Sequence, residues 1–326
     1  MEGIKQKLRG LPAAPASFFA MTLGLAETGN ALRLGSSTWG LPAWFGELFE
    51  GAAVLSWMWW MLLYANKWMF HRKAAYEEWR DPVQSSFVAL LPESTILMAL
   101  AFEPYHAAAA RTIFWIGAAA NVAYAAYRLS CMWSRTRAAA HLTPSLLLPH
   151  SASVLVHALA AGLLGYETYG RMIFGVGVIS WLILDSVLLS QLMVGGLEAK
   201  IRNVMGIYMA PAAIALVAYQ ALGGSASDFV TLALAGYSLF QIAALLFSYR
   251  WLRRQAFAPG YWAYTFGVAA AAQGCLLMAQ PHPPLGTIAA ALLCAAVALT
   301  LLVAIGTLSL IRSGLYFPAA AARKTV

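Results

Sequence analysis

The chain has 326 residues, of which 61% are apolar and only 10% charged, and its formal net charge is +8. Ordinary soluble domains carry roughly 45–50% apolar and 25% charged residues, so this composition excludes a soluble globular enzyme. The positive balance would fit a nucleic-acid partner, but every Lys and Arg except Arg33, Arg111 and Arg171 falls at the chain ends or in alternate links between apolar runs, the bias that keeps loops in the cytoplasm.

A bilayer span takes about 20 apolar residues. Ten such runs follow in order, at 14–35, 45–68, 84–103, 106–130, 145–165, 169–194, 203–222, 229–250, 260–280 and 285–311. An even number puts both termini on the basic, cytoplasmic side. The expected fold is therefore an all-α integral membrane protein of ten transmembrane helices. It forms one domain over 1–326, with short tails at 1–13 and 313–326, in the cell inner (plasma) membrane and in contact with membrane lipid. No small-residue cleavage site follows a short apolar core, so no signal peptide is expected.

The first run holds Pro15, Thr22, Gly24 and an acidic Glu27, with Arg33 at its outer end. The second is smooth. The third holds Pro92 followed by Glu93, and the fifth holds Pro149 followed by His150, with His157 two helical turns on. The sixth carries Asp185 and starts near Arg171. Pro211 interrupts the seventh, and Gly267, after Phe266, takes the matching place in the ninth. The tenth, from Ala289 to Leu310, is almost pure Ala, Leu, Val and Thr.

The breakers Pro92, Pro149, Pro211 and Gly267 recur about every 60 residues and only on odd runs. A proline removes one helical hydrogen bond and clashes with the carbonyl four residues back. Within a membrane such a break is tolerated where it is buried in protein or lines a water-filled path. Five hairpins follow, with the odd helices inside around a pore and the even helices toward lipid. The pore-lining or kink positions are Thr22, Gly24, Pro92, Pro149, Pro211 and Gly267. The bland alternative is that Pro and Gly are common in membrane helices.

Ionisable groups within a membrane mark pathways or proton relays, which makes Glu27, Glu93, His150 and His157 candidates for coupling or selectivity. Glu93 and His150 hold the same place after their prolines, so a Glu–His pair across the pore is expected if both face it. Glu27 reads equally as a structural hydrogen-bonding group, and His157 as a satisfied core histidine. Arg33 and Arg171 read as groups that steer anions or, more commonly at such places, as snorkelling side chains. Cys131, Cys275 and Cys294 have no paired spacing, and no HxxxH or HExxH cluster is present, so neither cofactor nor metal is expected. Phe266 reads either as a hydrophobic constriction, which closes a path by excluding water, or as a packing residue.

The segment from Asp81 to Pro92 (DPVQSSFVALLP) resembles the third-span signature of the TehA family, which comprises tellurite-resistance proteins, C4-dicarboxylate transporters and plant slow anion channels. Gly206 to Pro211 (GIYMAP) is similar to its seventh span, Gly236-Tyr237 with Gln241 to its eighth, and Trp262 to Gly267 (WAYTFG) to its ninth. The resemblance runs over essentially the whole chain. It implies pseudo-five-fold symmetry, a homotrimer, and a gate on Phe266. It also implies transport of small anions such as inorganic anions, oxyanions or C4-dicarboxylates. The acidic Glu93 departs from the apolar residue usual there. The leading expectation is an anion channel-like transporter, not an enzyme. The alternative is a proton-coupled carrier or efflux protein for organic acids, tellurite-type toxic oxyanions or drugs.

Overall fold

The computed structural model describes residues 10–317, Arg137 and the Lys200 side chain excepted. Lys5, Lys7, Arg9, Arg137, Arg323 and Lys324, which contribute to the charge argument, lie outside the described residues, as does most of each tail. Among the described residues the chain is all helix, as expected, with no strand. Ten long helices follow in order: α1 (Phe19–Trp39), α2 (Ala43–Phe70), α3 (Leu90–Phe102), α4 (Ala107–Ser134), α5 (Ser153–Leu163), α6 (Glu167–Gly195), α7 (Gly206–Ala221), α8 (Phe229–Phe247), α9 (Trp262–Leu277) and α10 (Pro283–Arg312).

Among the described residues, seven helical segments are long and apolar enough to cross a membrane: Ala43–Phe70, Gln84–Phe102, Pro144–Leu163, Glu167–Gly195, Ile201–Ala221, Phe229–Phe247 and Pro283–Arg312. The α9 helix has 16 residues, about 24 Å at 1.5 Å per residue, short of the ~30 Å hydrocarbon core. The α1 and α4 helices meet the length but carry polar groups, among them Glu27, Asn121 and Arg128.

Burial separates two classes of helix. In the odd segments Gln84–Phe102 and Pro144–Leu163, 89% of the apolar stretch is buried, whereas for α6 the share is 17% and for α8 22%. The even helices instead expose large apolar side chains, such as Leu62 on α2 and Phe240 and Phe247 on α8. Each odd helix packs against the even helix that follows it. The odd helices also touch in sequence, α1 to α3 to α5 to α7 to α9 and back to α1, which closes a ring. Small residues allow the close approaches. A Cβ on Gly24 would lie 1.9 Å from Thr265 Oγ1, and one on Gly206 would lie 2.6 Å from the backbone of Ala263 and Tyr264.

All five inner helices start the same way, with a 3₁₀ turn at Ala16–Phe18, Gln84–Ala89, Pro144–Leu146, Ala199–Val204 or Pro259–Tyr261. Before α5 a π-turn, Leu148–Ala152, intervenes. The breakers sit just past these lead-ins. Gly24, Pro211 and Gly267 fall in the second turn of α1, α7 and α9. Pro92 is in the first turn of α3, where a proline is tolerated best. Pro149 lies in the π-turn, whose wider hydrogen-bond ring accommodates a lost donor. The helices therefore deviate at one end of the ring, and beyond that end they run regularly to their opposite ends. At those ends Gly40, Gly165 and Gly223 adopt φ of 70°, 82° and 96°, the left-handed region that glycine enters at least cost.

Candidate functional site

The ring encloses a cavity of about 1250 Å³ that opens at the lead-in end. Its mouth is lined by Lys67, His71, Glu77, Glu78 and Asp81. Its neck takes one residue from each inner segment: Leu23, Glu93, Ala152, Ala210 and Phe266. One turn farther along, Ala26, Leu97, Val156, Ala213 and Ala270 are all 0% exposed. The cavity is blind at that level, and the neck is its floor.

The charges at the mouth are mostly tied into the scaffold. Glu78, on the short helix Arg72–Arg80, accepts from Lys67 Nζ at 2.8 Å and from the Ala16 amide at 2.8 Å, which anchors the first lead-in. Asp81 Oδ1 accepts from the Val83 and Gln84 amides at 2.8 and 2.6 Å and so caps the second lead-in. These carboxylates are held by donors. Among the described residues the lining carries more carboxylates than cations.

At the neck, Phe266 is 5% exposed and lies between cavity-lining Ala263 and Gly267, the latter against the Met209 side chain. Glu93 is 1% exposed, and neither of its carboxylate oxygens has a hydrogen-bond partner among the described residues. The sequence-expected pair with His150 is thus not formed. His150 is buried and is not part of the cavity lining. His157 turns away from the axis: its Nδ1 lies 3.3 Å from Asn121 Oδ1 on α4, and its ring packs on Phe114 and Tyr169. Thr22 likewise faces α2, with its hydroxyl 2.9 Å from Ser56 Oγ. Pro92 faces the other way, lining a groove with Trp57 and Tyr124 on the outer side of α3. Pro149, Pro211, Gly24 and Gly267 do not line the central cavity; their neighbours Ala152, Ala210, Leu23 and Phe266 do.

Glu27 is fully buried beside Asn30, away from the cavity wall. Glu50 was not singled out in the sequence, although a charge within the run 45–68 was the available signal. Its Oε1 lies 3.7 Å from Arg33 Nη1, while Arg33 Nη2 pairs with Glu47 at 2.8 Å. Arg33 also donates to the carbonyls of Leu100 and Ala101 at the far end of α3, and the Tyr105 hydroxyl donates to Glu47. Arg33 is therefore the centre of an ion-pair cluster and does not snorkel. Arg171 pairs with exposed Glu167 at 3.1 Å and donates to the Leu222 carbonyl. Asp185 accepts from the Tyr237 hydroxyl on α8 at 3.2 Å.

Residues 13–308 match the family model described as voltage-dependent anion channel. Among known proteins, the chain is 32% identical to a "Tellurite resistance protein TehA homolog" from Haemophilus influenzae over 273 residues, covering 79% of each protein. The apolar helices and this match together make it a multi-pass membrane protein. A ring of helices around a blind cavity, a family match over nearly the full length and this relative lead to one assignment: the chain belongs to the SLAC1 (voltage-dependent anion channel) family.

Proposed function

We propose that this protein moves anions through the centre of the helix ring and that Phe266 is the gate. The observation that carries the reading is the neck, where a bulky aromatic ring fills the floor of an otherwise open cavity. Ala152 and Ala210 stand on the same tier, so the ring has small neighbours to move past. A hydrophobic constriction of this kind closes by excluding water, and weak binding along the path permits fast release. The basic flank of the lead-in end supports a cytoplasmic cavity mouth and cytoplasmic termini in the inner membrane. The chain acts as a single transmembrane domain. The apolar faces of the even helices meet lipid and two further copies in a homotrimer. The substrates are small inorganic anions, oxyanions of the tellurite type, or C4-dicarboxylates.

The test is conductance or flux in reconstituted bilayers. Phe266 lines the cavity and also belongs to the buried core, so Phe266→Ala is expected to cost some stability, and in the protein that keeps its fold anion flux is expected to rise several-fold. Unchanged flux in a well-folded Phe266→Ala protein would move the gate elsewhere. A second reading, a proton-coupled carrier for organic acids or toxic oxyanions, is favoured by the unpartnered Glu93 at the neck. It requires proton movement together with substrate.

A further inference from the structure

We infer that the groove on the outer side of α3, between α2 and α4, binds an anionic phospholipid, with one acyl chain along the groove and the phosphate on the short helix Arg72–Arg80. The inference goes beyond anion movement and does not depend on Phe266 being the gate.

The groove holds about 660 Å³. Met61 and Trp68 stand on its α2 wall, Ala120 and Ala123 on its α4 wall, and Leu91 and Pro92 on its floor. Three polar tips along it are turned to protein partners. Trp57 Nε1 donates to Thr95 Oγ1 at 3.3 Å, Trp79 Nε1 donates to the Tyr127 hydroxyl at 3.0 Å, and the Tyr124 hydroxyl donates to the Ser85 carbonyl. With those tips bonded inward, hydrocarbon and ring faces are what they leave toward the opening. The rims are apolar as well, with Leu62 and Ile116 65% and 62% exposed.

Its length selects the occupant. From Trp57 to Trp68 the α2 helix rises about 16 Å at 1.5 Å per residue, and half of a ~30 Å hydrocarbon core is about 15 Å. The groove thus spans one leaflet, the one on the lead-in side. A helix of a second copy would cross the whole core and overrun it, whereas an acyl chain ends where the groove ends.

The chemistry also changes along the groove in the order of a lipid. The deep end, at Trp57 and Ile113, is apolar. At the lead-in end Trp68 packs edge-on against Tyr76 and Trp79 at 5.4 and 6.1 Å, and Trp79 stacks on Tyr127 at 5.4 Å. Such amphipathic rings sit at headgroup level. On the helix Arg72–Arg80, helical spacing puts Arg72, Tyr76, Trp79 and Arg80 on one face, and both arginines are exposed. The acids of that helix, Glu77 and Glu78, line the central cavity instead. Cations therefore stand just beyond the aromatic belt, where an anionic headgroup lies, and a guanidinium can hold a phosphate through two hydrogen bonds.

The test uses the full chain, delipidated in detergent and titrated with dioleoylphosphatidylglycerol or dioleoylphosphatidylcholine, with bound lipid counted by native mass spectrometry. The wild type is expected to hold phosphatidylglycerol more tightly than phosphatidylcholine. Ala120→Trp fills the groove from an exposed position on an outer helix. It is expected to weaken phosphatidylglycerol binding at least about ten-fold, the equivalent of two methylenes kept out of contact. Ala123→Trp, at a second exposed position in the groove, decides the matter should Ala120→Trp fail to fold. Arg72→Gln combined with Arg80→Gln is expected to remove the preference for phosphatidylglycerol and to leave phosphatidylcholine binding as it was. Phosphatidylglycerol binding equal to wild type in a folded Trp variant overturns the site, as does equal binding of the two lipids by the wild type. An Ala120→Trp protein that keeps its lipid but separates from an oligomer into single chains would give the groove to a second copy and overturn it too.

Discussion

The hairpin α1–α2 and the hairpin α9–α10 are neighbours in the ring and share one plan: a 3₁₀ lead-in, an inner helix, a tight turn and an outer helix. Their chemistry is opposite. The first carries Glu27, Arg33, Glu47, Glu50 and Lys67, whereas the last has no Asp, Glu, Lys or Arg from Trp262 to Ile311. The last hairpin is joined by small-residue packing and by hydroxyl or indole contacts, such as Trp262 Nε1 to Thr307 Oγ1 at 2.9 Å. The repeat thus sets backbone and packing, and single hairpins are free to carry different chemistry. Phe266, the gate proposed above, stands on one of these two hairpins, and the buried acids Glu27 and Glu50 stand on the other.

Removing Arg33 should break this comparison most severely. Arg33→Met leaves the buried Glu50 with no cation, and stranding a buried charge costs roughly 3–5 kcal/mol. A large drop in thermal stability in detergent is expected, and no single side-chain truncation in α10 should match it. A melting point within a degree or two of wild type would mean that the acids sit neutral without help from Arg33.

A smaller effect sharpens the same point. Gly29→Ala forces a methyl against Glu50 and should cost about 1–3 kcal/mol by overpacking. Combining it with Glu50→Ala, which removes the obstructing carboxyl, should recover much of that loss. A double-mutant cycle with no coupling would show that Gly29 serves helix approach alone.

The smallest change is at the seam between the two hairpins. Thr28 Oγ1 lies 3.0 Å from Thr300 Oγ1, but it already donates to the Gly24 carbonyl at 2.7 Å. Thr300→Val should therefore cost only about 0.6 kcal/mol, the typical worth of an interhelical hydrogen bond in a membrane protein. A loss several times larger in equilibrium unfolding would make the hydroxyl pair a main tie between α1 and α10.

Element positions were largely legible in the sequence, because apolar run length is a strong signal. The inside–outside alternation was legible too, through Pro92, Pro149 and Pro211. What those prolines do was less so. They mark where each inner helix leaves its lead-in, and the residues that reach the cavity are neighbours such as Glu93, Ala152 and Ala210. A proline shows where a backbone deviates but not which way the next side chain points. Thr22 and His157 illustrate the limit: both lie on inner helices, yet each turns to a polar partner on an outer helix. Glu50 lies in the smooth second run, where no backbone break marks a polar site. A charge in a smooth run is the stronger anomaly, since nothing in the backbone there calls for polarity.

The blind cavity also shapes the electric field. Water carries the potential of its own side down to the neck, so the voltage across the membrane falls mainly over the fully buried layer beyond Leu23, Glu93 and Phe266. An elementary charge crossing the whole drop gains about 2.3 kcal/mol per 100 mV. With the drop compressed into a thin layer, an ion at the neck feels most of that energy within a short distance. A ring gate at this level would be worked less by its own apolar face than by the steep field acting on whatever ion waits behind it.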